Sequence, residues 1–285
     1  MVLNNLCIIP GNDARNISIN NDIITSVNND RADPNDPIQL TFQNAIAFPG
    51  IINSHDHLEF NLYPQFGNNF YSNYVEWSDH VQKNYRGEIE KILKIPDPPI
   101  TVIQPQSLHS VKLEKWWKLR LNNPLRKKSP CVIHTGEGVD ENSEKEIDKL
   151  LKWNLLKRDL VAVHGVSMNA SQAEGFKALV WCPASNYFLL NRTAPVDKLK
   201  MFTKICFGSD STLSSSWNLW EHLLAARESH LLSDAELFDT INKTPAEVWK
   251  LNSGSLIAGK VADIVIARKE KLKGDYFTAP GDILW

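Results

Sequence analysis

The chain has 285 residues, of which 42% are hydrophobic, and this suits one large domain or a large domain with a small companion. Its 31 basic and 33 acidic side chains leave a formal charge of −2, which argues against a nucleic-acid or membrane partner. The first residues lack the features of a signal peptide and no apolar run approaches membrane-spanning length, so we expect a cytoplasmic protein.

The two ends of the chain have the pattern of short β-strands. Asn16–Ile19 and Ile23–Val27 alternate in polarity, and the residues between them, Asn20–Asp22, are typical of a turn. Val261–Ala267 has a strand pattern that could complete the same sheet. We therefore predict one small β-sandwich domain from residues 1–48 and 253–285, with residues 49–252 as the larger domain.

The central part of the chain alternates strands and helices. Compact apolar runs predict strands, and Ser-x-x-Glu spacings at Ser143, Ser171 and Ser233 predict helix starts. The predicted strands are Cys131–His134, Leu160–His164, Leu179–Cys182 and Ile205–Asp210. Continuous apolar strands between capped helices indicate an α/β fold with a buried parallel sheet.

The His-x-His pair at His55 and His57 is the first candidate for metal binding. If Ile51–His57 forms a strand, both side chains point to the same face and can bind one metal ion. The alternative is that this spacing has arisen by chance in a chain of this length.

Other polar residues occur where predicted strands end. His57, His134, His164 and Asp210 lie at or just beyond the carboxyl ends of apolar runs, the edge at which barrel enzymes assemble their sites. Each one alone is also typical of a hydrogen-bonded rim residue, a turn or a cap. Together they supply the imidazole and carboxylate ligands of a catalytic zinc or iron.

Glu137 follows His134 by three residues, close enough to reach a water molecule bound to the same metal. The alternative is an ordinary exposed carboxylate, because Asp140 and Glu141 are also acidic.

Five motifs along the chain carry a resemblance to a known family. In order, they are Phe48-Pro49-Gly50 with His55-Asp56-His57, Ile133-His134-Thr135-Gly136-Glu137, Val163-His164-Gly165, Trp181-Cys182-Pro183-Ala184-Ser185-Asn186 and Gly208-Ser209-Asp210-Ser211. With these motifs the chain resembles the amidohydrolase superfamily, and within it the mononuclear branch with cytosine deaminases, guanine deaminases and triazine hydrolases. The resemblance covers most of residues 44 to 268.

The resemblance implies a TIM (β/α)8-type barrel and a role for each motif residue. It implies that one divalent metal, zinc or else iron, is bound by His55, His57, His134 and Asp210. Glu137 would then transfer protons, and His164 and Asp210 would orient the attacking hydroxide. The implied reaction is hydrolysis of a carbon–nitrogen bond other than a peptide bond, such as deamination of an aminated heterocycle or an amidine.

The predicted fourth strand, Val102–Ser110, bears on the number of metals. Binuclear relatives place a metal-bridging carboxylated lysine there, whereas this chain has Gln104, Gln106 and His109, which favours one metal. His109 resembles a histidine that contacts substrate in some relatives, with a rim histidine as the alternative. Asn186 and Trp217, near the ends of the last two strands, are further candidates for substrate contact or for packing.

The chain is short for a complete barrel. His57 and His134 are 77 residues apart, whereas four strand–helix units would need about 120. We expect units two to four to be shortened or a segment to be absent, with the junction near Lys94–Ile100. Two other functions stay open: an amidase or esterase with the same metal, and a metal or small-molecule binder without catalysis. We also expect a small-molecule substrate and a homodimer.

Overall fold

The computed structural model describes residues 1–9, 13–29, 37–60, 63–67, 69–89, 102–103 and 105–268. The chain divides into two compact units, one of residues 1–52 and 232–285 and the other of residues 53–231. The expected junction near Lys94–Ile100, and Gln104 of the predicted fourth strand, lie outside the described residues. The domain boundaries after residues 48 and 252 remain predictions.

The described residues form the following strands and helices. The strands are β1 Val2–Ile8, β2 Ala14–Asn20, β3 Ile23–Asn28, β4 Gln39–Pro49, β5 Gln106–Ser110, β6 Cys131–Thr135, β7 Leu160–His164, β8 Ala178–Trp181, β9 Lys204–Phe207 and β10 Ile264–Arg268. The helices are α1 Tyr74–Ile89, α2 Trp117–Leu121, α3 Glu141–Trp153, α4 Ala170–Ala173, α5 Pro183–Leu190, α6 Val196–Leu199, α7 Leu219–Glu228, α8 Asp234–Ile241 and α9 Lys243–Trp249.

The first unit contains a five-stranded mixed sheet in the order β10-β4-β1-β2-β3. The strands predicted at both ends of the chain are confirmed as β2, β3 and β10, and the predicted turn is present because Asn21 and Asp22 have left-handed φ angles of 48° and 63°. Leu6, Ile17 and Ile24 are fully buried on this sheet. A two-layer β-sandwich remains a prediction.

The second unit contains a parallel sheet in the order β5-β6-β7-β8-β9. Each residue of β7 and β8 is buried, as expected for strands that helices cover on both faces. The predicted α/β class is therefore confirmed. Across the described ranges these five strands form an open sheet and no closed barrel.

Residues 53–57 lie beside β9 but do not form a strand, so the predicted strand Ile51–His57 is wrong. Ser54 N–H donates to the Phe207 carbonyl (2.8 Å) and His57 N–H donates to the Asp210 carbonyl (2.9 Å), with one isolated bridge between Asp56 and Asp210. The Asn53 amide oxygen accepts the N–H groups of His55 and Ser209, replacing ladder bonds between main chains. The two histidines nevertheless face the same side, with ring centroids 4.7 Å apart.

The described residues between His57 and β5 contain a 3-10 turn at Leu58–Phe60 and the helix α1, and no strand.

Among the helices of the described ranges, none combines the length and apolar character needed to cross a bilayer.

Candidate metal centre

The four side chains implied as ligands converge at the carboxyl ends of β6 and β9. The ligand atoms of His55, His57, His134 and Asp210 all lie within 4.8 Å of one another. His134 Nε2 lies 3.1 Å from His55 Nε2 and 3.4 Å from His57 Nε2. Asp210 Oδ1 lies 3.3 Å from His55 Nε2 and 3.6 Å from His57 Nε2.

These separations fit ligands of a single metal ion. Ligand atoms about 2.0–2.1 Å from one Zn²⁺, at angles of about 90–120°, are about 2.9–3.6 Å from each other, and the four separations given above lie between 3.1 and 3.6 Å. His134 supplies a further sign, since its Nδ1 donates to the His109 carbonyl at 2.9 Å and leaves Nε2 unprotonated toward the other ligands. The residues present therefore fit a divalent metal ion.

Burial and charge set the protonation of this group. Burial alone would raise the pKa of Asp210, but the hydrogen bond from His55 and the nearby His164 and His57 hold that pKa well below its usual range. Burial lowers the pKa of His134 well below its usual range, and the neighbouring imidazoles lower it further. A charged carboxylate with neutral imidazoles is the ligand state that a metal requires.

The second carboxylate oxygen of Asp210 is held by residues that the sequence reasoning missed. Ser185 Oγ donates to Asp210 Oδ2 at 2.6 Å, and Ser214 Oγ donates to the same atom at 3.0 Å. Both serines are fully buried. Ser185 belongs to a motif that carried the family resemblance, whereas Ser214 lies in a serine-rich run that gave no signal.

Glu137 and His164 form a buried pair beside the four ligands. Glu137 Oε2 lies 3.5 Å from His164 Nε2, and the His164 ring is 5.4 Å from that of His134 between centroids. The interpretation of Glu137 as an exposed acid is wrong, because the residue is only 6% exposed. Burial raises the pKa of Glu137 well above its usual range, and Asp210 and Glu146 raise it further. Burial lowers the pKa of His164 to about 4, against the opposing charge of Asp210.

Two of these site residues have an unusual backbone conformation. His164 has φ 74° and Asp210 has φ 65°, a left-handed conformation that costs free energy for residues other than glycine. Hydrogen bonds from Gly165 N–H to the Thr135 carbonyl and from His57 N–H to the Asp210 carbonyl hold these two turns. Each turn carries its side chain toward the candidate metal centre.

The three candidate substrate residues differ in position. The His109 ring stacks on that of His134 with 5.1 Å between centroids, and burial followed by the charge of His57 lowers its pKa. Asn186 is fully buried and its amide group lies 2.9 Å from His164 Nδ1. Trp217 is 76% exposed.

Comparisons with known proteins agree with this geometry. No family model matches the chain. Two proteins called 5'-deoxyadenosine deaminase are similar in sequence: that of Methanococcus aeolicus is 28% identical over 205 residues, and that of Methanococcus vannielii is 28% identical over 214 residues. The matches cover 62% and 66% of this chain, which spans 47% and 50% of the length of these relatives.

Solved structures share the fold. A triazine hydrolase variant superposes with a TM-score of 0.72 at 15% identity, covering 96% of this chain and 89% of that one. Guanine deaminase from C. acetobutylicum, with bound guanine, superposes with a TM-score of 0.71 at 15% identity, covering 93% and 90%. A third structure, the atrazine chlorohydrolase of Arthrobacter aurescens TC1 complexed with zinc, has a TM-score of 0.64 at 15% identity and covers 96% and 89%. The two sequence relatives, both named as deaminases, bear out the resemblance to the deaminase branch of the amidohydrolase superfamily.

Proposed function

We propose that this chain is a metal-dependent hydrolase that deaminates an amino-substituted heterocycle. The observation that carries the proposal is the convergence of three histidines and one aspartate beside the buried Glu137–His164 pair. A metal-binding protein without catalysis needs the ligands, but it has no use for a buried acid next to them.

The ligand set supports one divalent metal, with zinc preferred over iron. Three neutral imidazoles and one carboxylate suit both ions, and the superfamily neighbour that contains zinc favours the first. A divalent ion bound there would lower the pKa of a coordinated water molecule towards neutrality.

The protein's own side chains would move the protons. Glu137 is placed to accept a proton from the attacking water and to return it to the departing nitrogen, which leaves as ammonia. The Asp210 carboxylate, fixed by Ser185 and Ser214, would hold the attacking oxygen in line with the substrate carbon. His164 would donate a hydrogen bond to the attacking oxygen.

The proposed substrate class follows from the named relatives. Both sequence relatives are called 5'-deoxyadenosine deaminase, and one structural relative binds guanine. We therefore place aminopurines and their nucleosides first, with His109, whose ring stacks on that of His134, as the first candidate for substrate contact. Asn186 and Trp217 remain weaker candidates for substrate contact.

The finer architecture is also proposed. The parallel sheet and residues 53–57 would be one arc of a (β/α)8-type barrel that is shortened or incomplete between its first and fifth strands. The sheet of the first unit would be its β-sandwich side domain, and the protein would form a homodimer.

Metal analysis combined with a substrate panel tests the proposed function. Purified protein should contain about one equivalent of zinc or iron, and it should release ammonia from at least one of a panel of adenine nucleosides, guanine, cytosine and aminotriazines. Chelation should abolish the release, and adding zinc back should restore it. Turnover of amides or esters alone would instead support the amidase or esterase, and bound metal without any turnover would support the non-catalytic binder.

A further inference from the structure

His164 stands at one end of a chain of buried hydrogen bonds that continues away from the candidate metal centre. Trp181 Nε1 donates to Thr193 Oγ1 at 2.6 Å, and Thr193 Oγ1 donates to Asn186 Oδ1 at 3.4 Å. The Asn186 amide nitrogen in turn lies 2.9 Å from His164 Nδ1. Trp181 and Asn186 are fully buried, and Thr193 is 8% exposed.

The direction of this chain depends on Trp181, because an indole N–H can only donate. Thr193 Oγ1 accepts that bond, so its own proton points to its other partner, the amide of Asn186. That group must then present its carbonyl oxygen to Thr193 and its NH₂ to His164.

A reversed amide would break this sequence of bonds. If Asn186 turned its NH₂ toward Thr193, the threonine oxygen would accept from both sides, and its proton would have no acceptor among the described residues. A buried donor without an acceptor loses its hydration without compensation. The chain therefore favours one orientation of the amide.

We propose that Trp181, Thr193 and Asn186 are positioning residues that hold His164 as the tautomer with its proton on Nε2. Because an amide NH₂ can only donate, His164 Nδ1 must be unprotonated. The ring proton then sits on Nε2, the atom that lies 3.5 Å from Glu137.

This inference rests on the proposed function and assigns the roles within it. A ring with its proton on Nε2 donates a hydrogen bond toward the attacking oxygen and cannot take a proton there. Proton acceptance is thereby left to Glu137. Glu137 and His164, which lie side by side, would therefore have different roles, because Trp181 sets the direction of the three hydrogen bonds that end at His164.

The test is a ¹⁵N spectrum of the imidazole nitrogens in zinc-loaded protein, with the His164 signals assigned by their loss in His164→Asn. We expect His164 Nδ1 to have the shift of an unprotonated nitrogen and Nε2 that of a protonated one. A proton on Nδ1 in the unmodified protein would overturn the proposal.

Substitutions in the chain provide the second arm of the test. Asn186→Asp replaces the donor with an acceptor, so the proton should move to Nδ1 and turnover should fall by about a hundredfold or more at unchanged metal content. Thr193→Val removes the hydroxyl at similar shape and should give a mixture of tautomers, whereas Thr193→Ser should keep the original spectrum. Identical spectra for Thr193→Val and Thr193→Ser would show that the chain does not set the tautomer.

The spectrum separates this inference from the proposed function. It requires neither substrate nor turnover, so a protein with the expected tautomer and no activity would count against the hydrolase and not against the hydrogen-bond chain. Trp181→Phe is a poorer test, because it leaves a cavity in the core.

Discussion

The Nε2 atoms of His55 and His134 lie 3.1 Å apart although 79 residues separate them in the chain. His134 Nδ1 is already used in the bond to the His109 carbonyl, so its Nε2 presents a lone pair to the other ligand atoms. Lone pairs that converge in this way repel one another unless a cation or a proton lies between them. The arrangement therefore fits a bound divalent metal, whose place a proton on His55 Nε2 takes in its absence.

Removing one of these histidines should remove the metal. We expect His55→Ala and His57→Ala to lose bound zinc and turnover together, because each deletes a quarter of the coordination sphere. The measurement is metal content by mass spectrometry. The matched control is His230→Asn, an exposed histidine with a left-handed φ of 56° that asparagine tolerates, which should keep full metal. Full metal content in either ligand variant would refute the assigned set.

Replacing Glu137 should separate binding from chemistry. Glu137→Gln is nearly isosteric and lies outside the ligand set, so metal content should stay the same while the single-turnover rate falls by about a hundredfold or more. The rate is measured on whichever substrate the panel identifies. A variant with full metal and a near-normal rate would remove Glu137 from the mechanism, and deamination would no longer be preferred.

The serines behind Asp210 should affect metal affinity. Ser185→Ala removes the 2.6 Å hydrogen bond to Asp210 Oδ2, and we expect zinc affinity to fall by about tenfold to a hundredfold because a carboxylate held by Ser214 alone can rotate more easily. The measurement is competition with a chelator of known affinity. Ser215→Ala is the control, since Ser215 Oγ donates to the main-chain carbonyls of Ser209 and Ser211 instead. Equal affinities in the two variants would contradict the role of Ser185.

Glu146 on α3 should make the stability of the protein depend on pH. Its side chain is buried, with Lys112 Nζ 3.6 Å from Oε2, and burial raises its pKa to about 7 against the opposing charge of Lys112. A pKa raised from 4.5 stabilises the folded state below pH 4.5, and this contribution is lost as the pH rises through 7.

Replacing Glu146 by glutamine should remove this dependence. We expect Glu146→Gln to gain stability relative to the unmodified protein between pH 5 and pH 8, by up to about 3 kcal/mol. The measurement is urea unfolding at both pH values. Glu141→Gln, an exposed acid on the same helix, should show no such gain. If the difference in unfolding free energy between Glu146→Gln and the unmodified protein is the same at pH 5 and pH 8, the raised pKa of Glu146 is contradicted.

The sequence predicted most of the strands because their apolar runs are buried on both faces. Of the three predicted helix caps, one is confirmed and two are wrong. Ser233 caps α8 as predicted, with Glu236 completing the capping box. In α3 and α4, however, the caps are Asp140 and Asn169, a few residues before the predicted serines, because Asp and Asn caps satisfy the same N–H groups.

The candidate site could be predicted where a short motif contains a side chain that binds metal or transfers protons. Glu137 and Asp210 follow β6 and β9, and His134 lies near the carboxyl end of β6, so the meeting of these three follows from parallel topology, whereas His55 and His57 come from outside the strands. The contacts of Ser214 and Thr193 could not be predicted, because isolated hydroxyl groups carry no periodicity and acquire a role only when the fold brings a partner near. The burial of Glu137 could not be predicted either, because its acidic neighbours have the pattern of an exposed loop.

Residues 53–57 depend on long-range closure for their place beside β9. Asn53 Nδ2 donates to Ser209 Oγ across 156 residues, so the first two ligands join the site only when the far end of the unit has folded. A metal bound by His55, His57 and Asp210 would then stabilise the contact between residues 53–57 and β9. The N–H protons of Ser54 and His57, which bond to the main chain around β9, should exchange with solvent more slowly once zinc is bound. In this view metal binding is the final step of folding for the unit. Chelation would then loosen the contact between residues 53–57 and β9 and leave the central strands in place.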